Sequence, residues 1–197
     1  MSKPRYLPWD WHSQPLPQNL EVGERTWIYS SFAFRHHRSR HADGVSIGDD
    51  SGIYVDTDFL TGPAGRVRIG NFCSIGGAVF VTNGTISIGD YAFVAHEVTF
   101  TDSQFAVPFD GDDVELGPET IVGENAWIGA RVTVLGGSHI GDNAVIGAGA
   151  VLSGEVPAFS IAAGNPAAVI GRVPGAPSQL AAEPRYSDSS TRSLKSD

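Results

Sequence analysis

Three side chains able to move a proton flank one break in a six-residue pattern: His96 and Glu97 in VAHEVT, and Asp102 in TDSQFAVPF. An imidazole or a carboxylate can take the proton from a hydroxyl or an amine as that group attacks an electrophile. His96 is the first choice of base, because it stands at position three of its six-residue unit, where the side chain points out of the coil. Asp102, with Glu97 as a weaker option, serves instead as a carboxylate base or as the group that orients an imidazole. Asp102 has a plainer reading too, since an Asp at the start of a loop commonly ties down its own backbone. Ser103 has no histidine in its local sequence to activate it, and Cys73 falls at an inward position, so neither is read as a nucleophile.

The elements that must hold these groups come from the repeat. From Val122 the chain divides into VGENAW, IGARVT, VLGGSH, IGDNAV, IGAGAV and LSGEVP, and the same phase appears earlier in IGDDSG, IGNFCS, IGGAVF, IGDYAF and VAHEVT. Position one is aliphatic, position two is usually Gly, and position five is small or β-branched. A period of six fits neither an amphipathic helix nor plain strand alternation, and it predicts a stacked solenoid. Three hexads complete one triangular turn, with positions one and five directed inward. Successive turns stack through parallel strand hydrogen bonds at about 4.8 Å. The pattern slips in LTGPAGRVR, read as a corner bulge, and breaks over 102–121, where the chain must leave the prism and return. Excursions from a rigid scaffold are where binding chemistry tends to sit.

The run from Ile121 to Ile170, IVGENAWIGARVTVLGGSHIGDNAVIGAGAVLSGEVPAFSIAAGNPAAVI, resembles the hexapeptide-repeat acyltransferases, especially the maltose, galactoside and virginiamycin O-acetyltransferase group. That resemblance implies a left-handed parallel β-helix, a handedness opposite to the usual crossover rule. It also implies a homotrimer with clefts between subunits, where an acceptor attacks an acyl-CoA thioester with help from a histidine. The family's histidine matches Phe105 here, and no histidine occurs between Thr99 and Glu124. Trp127, Ala130 and Ala148 match positions lining the pantetheine arm. The family's phosphate-holding basic positions match Gly154, Ala168 and Gly171, which leaves Arg172 alone. Thr82, Asn83, Ser103 and Phe105 are assigned to the acceptor side.

The implied activity is transfer from a CoA or carrier-protein thioester to a small amine or hydroxyl by an atypical base. The implied donor is acyl-CoA or acyl-phosphopantetheine, the latter needing no grip on adenosine phosphates. A carrier protein then joins the expected partners, beside the homotrimer and a small-molecule acceptor. The other reading left open is a non-catalytic or repurposed trimer with a binding or structural role.

Composition bounds the rest. The 197 residues suit one domain, organised as an N-terminal cap over 1–44, the β-helix over 45–173 and a flexible tail over 174–197. A formal charge of −9 argues against nucleic acid and anionic membranes as partners. No apolar run reaches membrane-spanning length, and the start is too Pro-rich and polar for a signal peptide, so the cytoplasm is the expected address. The single cysteine cannot form an internal disulfide. RHHRSRH, residues 35–41, is the one concentrated basic stretch, read as a solvated, partly ordered segment able to meet an acidic carrier or donor phosphates. No metal is expected: His36, His37 and His41 lack ligand spacing, and a three-histidine site of the γ-class carbonic anhydrase kind would need more than the two histidines, His96 and His139, that lie within recognisable coils.

Overall fold

In a coil of flat three-sided turns, an aliphatic residue at position one can only point at the axis, and the chain builds its core from that constraint. The computed structural model describes residues 5–102 and 119–176. The first turn carries β1 (Leu20–Val22) and β2 (Trp27–Ile28), then a 3₁₀ turn, η1 (Ser31–Phe34), in place of its third side. β3 (Val45–Ile47), β4 (Gly52–Ile53) and β5 (Asp58–Thr61) make the second. β6 (Arg66–Ile69), β7 (Ser74–Ile75) and β8 (Ala78–Thr82) make the third. β9 (Thr85–Ile88), β10 (Phe93–Val94) and β11 (Val98–Thr101) follow. After the undescribed stretch come β12 (Thr120–Val122), β13 (Trp127–Ile128) and β14 (Thr133–Leu135). The next turn is β15 (His139–Ile140), β16 (Val145–Ile146) and β17 (Val151–Leu152). β18 (Glu155–Val156), β19 (Ser160–Gly164) and β20 (Ala167–Arg172) close the column.

These strands form three sheets, one per side, and every pairing is parallel except the last, where β20 folds back antiparallel on β19. The architecture is the three-faced parallel solenoid of a left-handed β-helix. Ile47, Ile69, Ile88 and Ile140 fill the first side, and Ile53, Ile75, Val94, Ile128 and Ile146 the second. The position-five residues Cys73, Ala92, Val98, Ala126, Val132 and Ala150 are buried as the pattern requires.

The third side is lined by rings. Phe34, Phe59, Phe80 and Phe100 stack in a file with centroids 5.0, 5.0 and 5.1 Å apart and planes within 7° of parallel. That spacing follows from the coil repeat of about 4.8 Å, so the backbone imposes the stack on any aromatic placed there.

The first corner, between the first and second sides, explains the recurring Gly-Asp and Gly-Asn. Asp49 accepts from the backbone N–H of Glu24 at 2.7 Å, Asn71 from that of Asp49 at 2.8 Å, and Asp90 from that of Asn71 at 2.8 Å. Each side chain thus satisfies a corner donor of the preceding turn, or the donor would be left unpaired. One residue further on, Phe72, Tyr91, Asn125, Asn143 and Phe159 take the left-handed conformation, with φ from 53 to 57 for Asn125, Phe72, Asn143 and Phe159 and 59 for Tyr91. LTGPAGRVR bulges at its corner as expected, residues 62–65 standing between β5 and β6 where only 83–84 stand between β8 and β9, with Gly65 donating to the carbonyl of Gly62 at 3.0 Å.

The solenoid starts earlier than the expected boundary at residue 45. β1 pairs with β3 and β2 with β4, in register with the rest. VGERTW from Val22 and IYSSFA from Ile28 share the hexad phase, but Phe32 stands at the small position of the second and the run ends there.

RHHRSRH keeps Arg35, His36, Arg38 and Arg40 exposed, as a solvated segment does, but is bonded along its length. Arg35 pairs with Asp58 at 2.6 Å, and the N–H groups of Arg38 and Arg40 donate to the carbonyls of Thr61 and Pro63. His37 joins Thr61 at 2.7 Å and Asn19 at 3.0 Å. The stretch closes the first turn because its backbone donors meet carbonyls left free at the column's end. The expected flexible tail lies mostly outside the described residues. Among the described residues no helix is long and apolar enough to cross a membrane.

Candidate functional site

His96 sits at the second corner, between β10 and β11, with its side chain exposed as position three predicts. Its carbonyl accepts from the N–H of Arg131 at 2.9 Å, so the corner of the next turn stacks directly on it. Glu97 and Arg131 both hold a φ of 60 there, and the Arg131 guanidinium donates to the Glu97 carboxylate at 2.8 Å. That bond holds the Glu97 carboxyl below the usual range and the Arg131 guanidinium above its own. Glu97 is thereby committed to Arg131, and His96 is left as the exposed imidazole of this corner.

Asp102 is differently employed. One carboxylate oxygen accepts from the Thr82 hydroxyl at 2.6 Å and from the N–H groups of Asn83 and Gly84 at 3.1 and 2.7 Å; the other accepts from Asn83 at 3.2 Å. Asn83 in turn accepts from the N–H of Ala64 at 3.0 Å. Thr82 and Asn83 are buried, so these residues form a latch that binds three successive third corners together. Asp102 ties down the preceding turn's backbone rather than its own. Within one chain Asp102 does not orient His96: the four residues of β11 separate them, about 13 Å of extended strand.

Trp127 opens β13 with its ring outward and 57% exposed. Phe93, its register partner on β10, meets it edge-on at 5.6 Å and 73°. Beside the pair lies a groove of about 360 Å³, walled further by Tyr91, Phe159 and Val173. Tyr91 stacks on Phe72 at 4.9 Å. The groove thus opens toward the first corner, whereas Ala130 and Ala148 stand at the second, where the Ala130 carbonyl accepts from the N–H of Gly149 at 2.8 Å. Arg172, on β20, pairs in register with Ser160 on the second face. Ser103 and Phe105 lie outside the described residues. Among the described residues no cluster of three or more His, Cys, Asp or Glu could hold a metal ion.

Sequence reasoning picked out Trp127 but missed its aromatic companions. Phe72 and Tyr91 occupy position four of their hexads, and Phe93 position six, all outward positions where a soluble coil has no need of a ring. That placement was the available signal.

A three-faced column of six-residue turns with a groove beside an outward tryptophan defines a hexapeptide-repeat β-helix protein. Residues 119–154 match the family described as bacterial transferase hexapeptide (six repeats). Galactoside O-acetyltransferase of Escherichia coli K12 is 32% identical over 130 residues, covering 64% of this chain and 63% of that protein. A chloramphenicol acetyltransferase of Escherichia coli is 34% identical over 157 residues, covering 76% and 65%. The chain therefore spans less than two thirds of the length of these curated relatives.

Among solved structures, AntD, an N-acyltransferase from Bacillus cereus in complex with dTDP and coenzyme A, superposes with a TM-score of 0.60 at 18% identity, over 78% of this chain and 84% of that one. The polySia-specific acetyltransferase NeuO gives 0.55 at 22%, over 78% and 66%. At such identities the likeness is one of fold. The repeat and the sequence relatives place the chain in the hexapeptide-repeat acyltransferase family.

Proposed function

We propose that the protein is an acyltransferase carrying an acyl group from a CoA or carrier-protein thioester to a small amine or hydroxyl. The observation that carries this reading is the stacking of His96–Glu97 directly against Ala130–Arg131, three residues on from the outward Trp127. That arrangement sets an exposed imidazole one turn from the aromatic strip suited to a pantetheine arm. His96 takes the proton as the acceptor's nitrogen or oxygen attacks the thioester carbonyl. The C–S bond breaks, and the departing thiolate recovers a proton from the imidazolium or solvent.

The same reading makes the working unit a homotrimer, with the exposed rings of Phe72, Tyr91, Phe93 and Trp127 available to a neighbouring subunit or to the donor. Asp102 belongs to the scaffold in this scheme. Steady-state assays of acetyl-CoA and acyl-carrier donors against a panel of small amines and alcohols test it, with His96→Ala as the control variant. Turnover that needs His96 is the expected result. A protein that gives no turnover and no thermal shift with coenzyme A is not an acyltransferase.

A further inference from the structure

The formal charge of −9, which argues against an anionic membrane for the chain as a whole, is unevenly placed. The first 44 residues hold six of the 13 Lys and Arg but only four of the 22 Asp and Glu. They also hold three of the four tryptophans. The N-terminal end of the column is therefore rich in rings and spared the negative charge of the body.

The rings form a belt around the second corner of the first two turns. On the second side, Trp9 stacks on Trp27 with centroids 4.5 Å apart. Gly52 pairs in register with Trp27, and a Cβ there would stand 2.6 Å from the Tyr54 ring, so Tyr54 covers that strand next to the tryptophan pair. Across the corner, Trp11 meets Phe32 at 5.3 Å. A cavity of about 470 Å³ between Trp11, Phe32 and Tyr54 joins the two groups. Trp11 is 63% exposed, and Tyr29, at the corner itself, is exposed too. The belt reaches over two turns, about 10 Å along the axis by the coil spacing.

Exposed rings on both flanks of a convex corner suit a rigid partner poorly, because it would need a matching cleft. A fluid boundary conforms to them. Trp and Tyr, apolar in the body and polar at the tip, concentrate where a bilayer meets water. Interfacial elements bury their apolar face to about 5–10 Å, the height of this belt. The charges at this end permit the approach. Asp10 is buried against Ser30 and Ser31, and Asp58 is buried with one oxygen on Arg35 and the other, Oδ1, unbonded. Glu24 and Asp43 pair with Arg25 and Arg68. Exposed Glu21 and Asp56 remain, against exposed Arg5 and Arg38, which meet no carboxylate among the described residues.

We propose that the protein rests on a phospholipid bilayer by this end, with Trp11, Tyr29, Tyr54 and the Trp9–Trp27 pair in the headgroup layer and Arg5 and Arg38 against lipid phosphates. The rings supply most of the grip, and the arginines add to it where the lipid is anionic. Trp127 stands four turns further along the second side, about 19 Å by the coil spacing, so its groove stays in water. Docking therefore does not depend on what that groove binds.

Flotation of the full chain with vesicles of phosphatidylcholine, and of phosphatidylcholine and phosphatidylglycerol in equal parts, tests the proposal, with tryptophan emission as a second readout. The chain floats with both, more tightly with the mixed vesicles, and its emission moves to the blue as rings leave water. Trp11→Ala lowers the partition by about tenfold. Arg38→Gln lowers it by about fivefold on the mixed vesicles. Both side chains are exposed, and circular dichroism checks that each variant keeps the fold. Trp127→Ala removes a ring of similar exposure from the wrong place and binds as the parent does. Failure to float with either vesicle overturns the proposal, as does flotation that Trp11→Ala leaves unchanged. Without flotation, self-association lost in Trp11→Ala assigns the belt to a second copy. Binding of an acidic acyl carrier protein, lost in the same variant, assigns it to a protein partner, and either result overturns lipid docking.

Discussion

The Thr82 hydroxyl donates to Asp102 across 2.6 Å, joining two turns at the point where the chain leaves the described column. The same carboxylate oxygen takes the Gly84 N–H at 2.7 Å. Removing the charge leaves buried donors facing a weaker partner. Asp102→Asn is expected to lower stability by about 2 kcal/mol, as hydrogen bonds to charged groups do, and Asp102→Ala by more. Urea denaturation measures the loss, and the folded fraction should keep most of its turnover. A variant of normal stability with activity abolished would make Asp102 the base after all.

His96 predicts the opposite pattern. Its side chain is exposed, so His96→Ala should leave the urea midpoint within error of the parent. Turnover should fall by about 10²–10⁴-fold, the span a positioned general base contributes. Glu97→Gln, by contrast, breaks only an exposed ion pair worth about 0–1 kcal/mol and serves as the matched control. Equal activities in His96→Ala and the parent would remove the imidazole from the mechanism.

Acid should loosen the N-terminal closure in two separate windows. Thr61 Oγ1 accepts the N–H groups of Arg38 and Ser39, so its own proton goes to His37 Nδ1, and the ring must be neutral with Nε2 donating to Asn19. Burial lowers the His37 pKa. The unfolded chain therefore takes the proton first, and stability present above the ordinary value of about 6.5 drains away as pH falls below it. Melting midpoints between pH 7 and 5 should slope in the parent and flatten in His37→Gln.

The second window belongs to Asp10. Burial alone would raise its carboxyl, yet hydrogen bonds from Ser30, Ser31 and His12 hold it at about 2. Its contribution persists above the ordinary carboxylate range and is lost as pH descends from there toward 2. Limited proteolysis at pH 3 should release the N-terminal segment before the coils. Simultaneous loss of both would contradict a local closure.

The phenylalanine file should carry much of the mechanical strength. Phe80 is fully buried between Phe59 and Phe100, and Phe80→Ala is expected to cost about 3–5 kcal/mol. Phe80→Leu should cost less, since it refills part of the void. Chemical denaturation of the two variants decides, and a cost below about 1 kcal/mol for alanine would mean that the column collapses around the gap.

The column was legible because its rule is local: an aliphatic residue every sixth position must face the axis, and Ile69, Ile75, Ile88 and Val94 announce it one by one. The first turn escaped because only two hexads, from Val22 and Ile28, precede the interruption at 35–44, too short a run to show a period, and only the pairing of β1 with β3 reveals their place. Asp102 and Asp58 illustrate the harder limit. Both are aspartates near a strand end, and sequence gives no hint that one is fully bonded while the other keeps an oxygen bare. That difference arises from contacts with residues about twenty positions away, on another turn. His96 read correctly as outward because its register follows directly from the hexad.

β20, folded back along β19, has a further meaning for the whole particle. At the opposite terminus the Trp9 indole donates to the Ile28 carbonyl at 2.9 Å, and Arg5 reaches the carbonyls of Pro17 and Leu20. The second sheet is thus covered beyond β2 at one end and beyond β19 at the other, which discourages a second molecule from extending that ladder end to end. The flanks, by contrast, keep the rings of Trp127 and Trp11 exposed.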